Sequence, residues 1–269
     1  MNPILNIAGY KFIALTDLSA LRVQLLTSAS HLTLKGTILL SPEGINLSLA
    51  GTTENIQQFL TALKQDSRFA DLTFRQSYSA TQPFKYMRVK LKKEIITIKQ
   101  ADIQPEQQSA PEISPQEFKQ WLDEQRDVTV LDTRNDYEVR FGTFKNAVNL
   151  QIDDFSEFPT AMQQVRADKP TVMFCTGGIR CEKAALVMLK AGYQNVFQLK
   201  GGILNYFAEV GGEHYQDECF VFDQRVALNS KLQETGTIQC KVCQSPVKKQ
   251  EQTAPEFVPD VSCPSCTNN

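Results

Sequence analysis

Histidine is nearly absent from this chain of 269 residues, which holds only His31 and His214. His31 falls early in the chain, so a cysteine-histidine pair would have to use His214, and no catalytic role is assigned to it. Long apolar runs are missing too. None approaches the ~20 residues of a membrane-spanning helix, so the chain is not expected to cross a membrane. The start, Met1-Asn2-Pro3-Ile4-Leu5-Asn6, lacks the basic opening and apolar stretch of a secretory signal, and a cytoplasmic location is expected. No iron-binding triad, flavin fingerprint or haem motif can be read from the residues, so no organic cofactor is expected. Seven cysteines are too few and too unevenly placed for a secreted disulfide framework, which leaves thiol or metal chemistry.

What is present is a globular composition, 42% hydrophobic and 22% charged, in a length that suits at least two cores. Charge is unevenly shared. Met1 to Gln100 holds 12 Lys and Arg against 6 Asp and Glu, and the remainder 16 against 24, so a net charge of -2 conceals halves of +6 and -8. A basic first domain facing an anionic partner is the implication.

Residues 1–100 read as a ferredoxin-like βαββαβ domain. A strand from Tyr10 to Leu15 leads through Asp17, as N-cap, into a helix with Leu18, Leu21, Val23, Leu25 and Leu26, ending near Ser28. Strands at Gly36 to Leu40 and Ile45 to Ala50 flank Ser41-Pro42-Glu43-Gly44 as a hairpin. A helix from about Thr53 to Lys64 follows, then strands near Leu72 to Gln76 and Phe84 to Leu91. On the last of these, Phe84, Tyr86, Arg88, Lys90 and Lys92 share one face by period two. Cations there suit phosphate and aromatics suit stacked bases, which favours RNA binding. The same pattern also protects an edge strand.

Residues 101–113 are polar, lack apolar periodicity and read as a linker. Residues 114–215 then show an α/β pattern with a largely parallel sheet. Ser114-Pro115-Gln116-Glu117 opens a helix with a capping box, and short apolar strands recur at Val128 to Asp132, Ala147 to Leu150, Thr171 to Phe174 and Val196 to Leu199. Cys175 ends the third of these strands, and Cys181 to Leu189 reads as a helix. In the intervening loop, Cys175-Thr176-Gly177-Gly178-Ile179-Arg180, the glycine pair frees the backbone to aim successive N–H groups at one atom. With a helix N-terminus and Arg180 adding positive charge, a thiolate is favoured and Cys175 is the candidate nucleophile. Cys181 reads either as a resolving thiol or as a small packed residue.

Together with Leu131-Asp132-Thr133-Arg134-Asn135-Asp136-Tyr137-Glu138, Gly142 and Leu199-Lys200-Gly201-Gly202-Ile203, the loop resembles the rhodanese superfamily. Arg180 comes five positions after Cys175. The related cell-cycle phosphatases have a longer loop sized for phosphate, so this one suits the terminal sulfur of a persulfide. Asp132 and Arg134 are expected to support the domain, with Glu138 as a further support.

The resemblance extends to nearly the whole chain. Gly36-Thr37-Ile38-Leu39-Leu40-Ser41-Pro42-Glu43-Gly44-Ile45-Asn46 and Glu218-Cys219-Phe220-Val221-Phe222-Asp223-Gln224-Arg225-Val226-Ala227 resemble the bacterial tRNA uridine 34 hydroxylase family. That resemblance implies conversion of the wobble uridine of tRNA to 5-hydroxyuridine, with molecular oxygen as co-substrate and the anticodon stem-loop as partner. It places the family's essential cysteine, in thiol or persulfide form, at Cys175.

Residues 216–269 form a C-terminal segment in which Cys240-Lys241-Val242-Cys243 and Cys263-Pro264-Ser265-Cys266, 19 residues apart, have zinc-ribbon spacing. A structural zinc would staple a tail poor in apolar residues; disulfides or free thiols are the alternative. Two enzymatic readings compete, a tRNA-modifying oxygenase and a sulfurtransferase or persulfide carrier, and both need Cys175. A regulatory module that senses oxidants is the third, and the complete loop argues against it.

Overall fold

The computed structural model describes residues 3–268, and the chain divides into two compact units between Gln108 and Ser109. The first unit comprises β1 (Ile4–Phe12), α1 (Leu18–His31), β2 (Lys35–Ser41), β3 (Gly44–Gly51), α2 (Thr53–Lys64), β4 (Arg75–Ser79) and β5 (Met87–Leu91). Its sheet runs β4-β1-β3-β2-β5. The first four strands pair antiparallel in the ferredoxin-like order, and β5 adds an edge strand parallel to β2. Leu21 and Leu25 of α1 and Ile56 and Phe59 of α2 pack on the sheet beside Ile38 and Leu47. Each such fully buried side chain contributes about 1.5–3 kcal/mol.

Boundaries differ from the local pattern where tertiary pairing decides. β1 begins at Ile4, not Tyr10, because its first residues pair with both β3 and β4. Asp17 occupies the N-cap of α1 without capping it; its carboxylate accepts from Arg68 Nη1 and Nη2 at 2.6 and 3.1 Å. Leu72 is a buried core residue ahead of β4. Phe84 and Tyr86 precede β5, although bonds from Gly36 N to Tyr86 O (2.9 Å) and from Lys92 N to Leu40 O (2.8 Å) extend the ladder at both ends.

The second unit contains β6 (Glu112–Ile113), α3 (Pro115–Asp123), β7 (Thr129–Asp132), α4 (Asp136–Val139), β8 (Gly142–Phe144), β9 (Val148–Asn149), α5 (Phe158–Ala161), β10 (Thr171–Phe174), α6 (Ile179–Lys190), β11 (Val196–Leu199) and α7 (Gly202–Val210). The short strands β12 (Tyr215–Asp217), β13 (Cys219–Phe220), β14 (Ala227–Leu228), β15 (Ile238–Gln239) and β16 (Pro246–Val247) follow. Its main sheet is parallel throughout, in the order β6-β11-β10-β7-β9. Every residue of the central strand β10 is buried, as expected of a strand covered on both faces. β6 comes from the polar stretch before Ser114: Glu112 and Ile113 pair with Gln198 and Leu199 of β11. Ser114 Oγ accepts from Glu117 N at 3.1 Å, and Pro115 sits at the start of α3. Among the described residues no helix is long and apolar enough to cross a membrane.

Candidate active site and cysteine cluster

Cys175 lies just beyond the C-terminal end of β10, four residues before α6 begins at Ile179, at the end where open parallel sheets place their ligand sites. Its side chain is buried. Gly178 adopts φ +95° as the N-cap of α6, a left-handed conformation open to glycine, and its N–H donates to Cys175 Sγ at 3.0 Å. Burial pushes the Cys175 thiol up. A hydrogen bond with Cys181, the Arg180 charge and the backbone amides of Arg180 and Gly177 outweigh it and hold the thiol well below its usual range. The sequence loop is thus a cradle for sulfur, although its last two residues, Ile179 and Arg180, already belong to the helix.

Arg180 meets Glu138 with Nη1 to Oε2 at 2.5 Å and Nη2 to Oε1 at 2.7 Å. Burial alone would lower the Arg180 pKa; Glu138 outweighs it and keeps the guanidinium charged. The loop is also held from behind. Ile203 N donates to Cys175 O at 3.0 Å and Leu204 N to Thr176 O at 3.2 Å, so the start of α7 takes up the loop carbonyls. A Cβ on Gly202, whose φ is +69°, would meet Cys175 O at 2.4 Å and Gly178 N at 2.9 Å. Gly202 of the Gly201-Gly202 motif therefore serves the active loop, a role that its sequence signal, glycines after an apolar strand, does not specify. Thr176 Oγ1 donates to Phe220 O at 3.5 Å, tying the loop to β13.

Asp132 and Arg134 are fully buried and face each other, Nη2 to Oδ2 being 2.7 Å. Arg134 Nη2 also donates to Gly142 O at 2.6 Å and Thr143 Oγ1 to Asp132 Oδ2 at 2.7 Å, so the pair joins the end of β7 to β8. At Gly142 an added Cβ would meet Gln216 O at 2.3 Å, across the pairing of β8 with β12. His214 Nε2 is engaged by Asp123 at 2.6 Å. Burial pushes the Cys219 thiol up to about 12, which makes it a poor nucleophile at neutral pH. Cys181 is buried, lies 3.7 Å from Thr133 Oγ1, and is pushed up by burial and by its bond with Cys175.

In the first unit, Tyr86, Arg88, Lys90 and Lys92 are exposed at the β5 edge. The Tyr86 ring has Lys85 Nζ at 5.4 Å and Arg88 Cζ at 5.2 Å from its centroid. In the second unit, the four cysteines of the two CxxC pairs converge. Sγ separations are 3.7 Å for Cys240 and Cys266, 3.5 Å for Cys243 and Cys263, and 3.7 Å for Cys263 and Cys266. A tetrahedral ion with sulfur at ~2.3 Å requires edges of about 3.8 Å. The thiols are free, and the group can hold a metal ion.

A parallel sheet with a glycine-rich loop cradling a buried thiol at its C-terminal end defines a rhodanese-type domain. Residues 114–209 match the rhodanese-like domain, and residues 4–95 match the UPF0176 acylphosphatase like domain. A tRNA uridine(34) hydroxylase of Cupriavidus pinatubonensis is 50% identical over 271 residues, covering 98% of this chain and 96% of the relative. One from Cupriavidus taiwanensis is 51% identical over 271 residues, with the same coverage of 98% and 96%. Among solved structures, a rhodanese-related protein from Thermoplasma volcanium is similar at 26% identity and a TM-score of 0.33, covering 38% of this chain and 94% of its own. The chain belongs to the tRNA uridine(34) hydroxylase family.

Proposed function

We propose that this protein is a cytoplasmic tRNA-modifying enzyme that hydroxylates wobble uridine 34 to 5-hydroxyuridine, with molecular oxygen as co-substrate and Cys175 as its reactive group. The observation that carries the reading is the Cys175 thiol itself. It is buried at a strand end, accepts from Gly178 N at 3.0 Å, and is held toward the thiolate by its hydrogen bond with Cys181 and by the Arg180 charge, in a chain half-identical over nearly its full length to hydroxylases of that name. A persulfide on Cys175 would carry the reactive sulfur about 2 Å further from the buried position. In this reading Thr176, Gly177, Gly178, Ile179 and Arg180 form the binding loop, while Asp132 and Arg134 act as structural supports.

Residues 1–100 serve as the RNA-binding domain, 114–215 as the rhodanese catalytic domain and 216–269 as a stapled C-terminal segment. The anticodon stem-loop is bound through Tyr86, Arg88, Lys90 and Lys92, whose exposed cations suit phosphate and whose aromatic ring suits a base. Cys240, Cys243, Cys263 and Cys266 hold a structural zinc, for which the sulfur separations of 3.5–3.7 Å fit. Mass spectrometry of tRNA nucleosides from cells lacking the protein, resupplied with wild type or Cys175→Ser, tests the assignment. Restoration of 5-hydroxyuridine by wild type alone is expected; its persistence without the protein would sink the reading.

The Arg180 position, five after Cys175, also favours a second reading, a sulfurtransferase or persulfide carrier. A robust thiosulfate sulfurtransferase rate, combined with 5-hydroxyuridine that does not depend on the protein, would select it.

A further inference from the structure

We infer that Phe222 is the platform on which the pyrimidine ring of the substrate uridine stacks beside the Cys175 loop; this rests on the tRNA hydroxylase reading and adds a binding residue to it. Phe222 is 62% exposed, at the tip of the hairpin formed by β13 and β14. A single exposed apolar side chain is ordinary. Its placement is not. The ring centroid lies 5.9 Å from Arg180 Cζ, the last residue of the sulfur-binding loop. It packs edge to face on Phe220 at 5.2 Å and 90°, and the Phe220 carbonyl accepts from Thr176, the residue after Cys175. Two separate links therefore bind the Phe222 ring to the loop.

The tip is rigid for its size. Val221 N donates to Val226 O at 2.8 Å, and the Asp223 carboxylate takes Arg225 N, Nε and Nη2 at 3.0, 2.8 and 2.6 Å. Val221 and Arg225 are buried, so the turn is braced from within while Phe222 points to solvent. Such a ring is held out, ready for a partner, at no further ordering cost to the backbone.

The chemistry of the neighbouring site selects that partner. A base must leave its stack before a buried sulfur can reach it, and an unstacked base is stabilised by an aromatic face that is indifferent to its exocyclic groups. Arg180 cannot fill that role through charge alone, since Glu138 already takes both its terminal nitrogens. Phe222 offers the exposed π-face next to it.

Affinity for a 17-nucleotide anticodon stem-loop, measured with uridine at position 34 and with an abasic residue there, tests the inference. Base stacking on an aromatic residue is worth roughly a 5- to 150-fold change in affinity. Wild type should bind the uridine RNA more tightly than the abasic RNA by a factor in that range. Phe222→Ala should bind the uridine RNA as weakly as wild type binds the abasic one, and should no longer tell the two apart. Phe222→Tyr should restore the difference, and alkylation of Cys175 by a small reagent should be unchanged in both variants. The inference is overturned if wild type does not distinguish the RNAs, if Phe222→Ala distinguishes them fully, or if Phe222→Ala slows Cys175 alkylation as much as it weakens RNA binding. A hydroxylase reading that fails does so separately, as wild-type protein that restores no 5-hydroxyuridine to cellular tRNA.

Discussion

Arg180 and Glu138 form a two-pronged ion pair at 2.5 and 2.7 Å with side-chain exposures of 6% and 0%. Glu138 thereby fixes the cation that faces the Cys175 sulfur. Removing one member of such a pair leaves the other buried and uncompensated, which typically costs about 3–5 kcal/mol. Glu138→Gln should lower unfolding stability by an amount of that order in urea titrations. Combining it with Arg180→Met should recover part of the loss, because the second change removes the stranded charge. A double variant no more stable than Glu138→Gln alone would contradict this account.

The reactivity of Cys175 should persist to lower pH than that of an ordinary thiol. Its folded pKa is depressed from the usual ~8.5, so stability linked to the thiolate is fully present above the unfolded value and is lost as pH falls through the folded one. Alkylation followed by peptide mapping at pH 7 should label Cys175 before Cys181 and Cys219, whose thiols burial pushes up. Cys175→Ser should fold and be inactive. Labelling of Cys219 ahead of Cys175 would refute the cradle.

Gly202→Ala tests the support behind the loop. Its Cβ would fall 2.4 Å from Cys175 O at a φ of +69°, so the loop or the start of α7 must shift. The variant should lose stability by about 1–3 kcal/mol from backbone strain alone. It should also slow Cys175 alkylation at pH 7 more than at pH 9, because displaced amides no longer favour the thiolate. Equal slowing at both pH values would point to lost access instead.

The strand, loop and helix around Cys175 were legible because they are local: an apolar run, a glycine pair and a helical stretch fall in one short segment. The four-cysteine cluster was legible through its spacing. What the sequence left open is set by distant partners. β6 lies in a polar stretch and becomes a strand only by pairing with β11, which is 86 positions away for Glu112 and Gln198. Glu138 reads as one acid among many until the fold sets Arg180 against it. Gly202 reads as a turn residue, yet what excludes a side chain there is the carbonyl of Cys175, contributed by another strand end. Asp17 shows the converse, a correct cap position whose carboxylate is claimed by Arg68 from 51 residues away.

Metal removal should act on the tail and spare the sheet. Val247, Ile238 and Phe257 pack with the four cysteines in a small cluster of their own, so a bound zinc would add stability to that segment and not to the sheet. Reduced protein reconstituted with zinc should retain about one equivalent after desalting. Chelation should raise hydrogen exchange from Cys240 to Cys266 while β10 and β11 stay protected. Failure to retain zinc would remove the ion from the account, and loss of protection across the parallel sheet would show that the segments are not separately stabilised.

Salt dependence gives the test of the first unit. Arg88, Lys90 and Lys92 project as exposed cations along the β5 edge, with Tyr86 flanked by Lys85 and Arg88. Each phosphate neutralised releases condensed counterions, so log K should fall linearly with log salt, by about 0.7 to 0.9 per contact. Replacing Arg88, Lys90 and Lys92 together by alanine removes up to three such contacts. The slope should then become shallower by roughly 2 to 3, and tRNA affinity should drop most at low salt. Alkylation of Cys175 should be unaffected, since that thiol is set by Gly178, Cys181 and Arg180 of the second unit. An unchanged slope would show that the β5 cations only guard a sheet edge, and would move the phosphate contacts elsewhere on the protein.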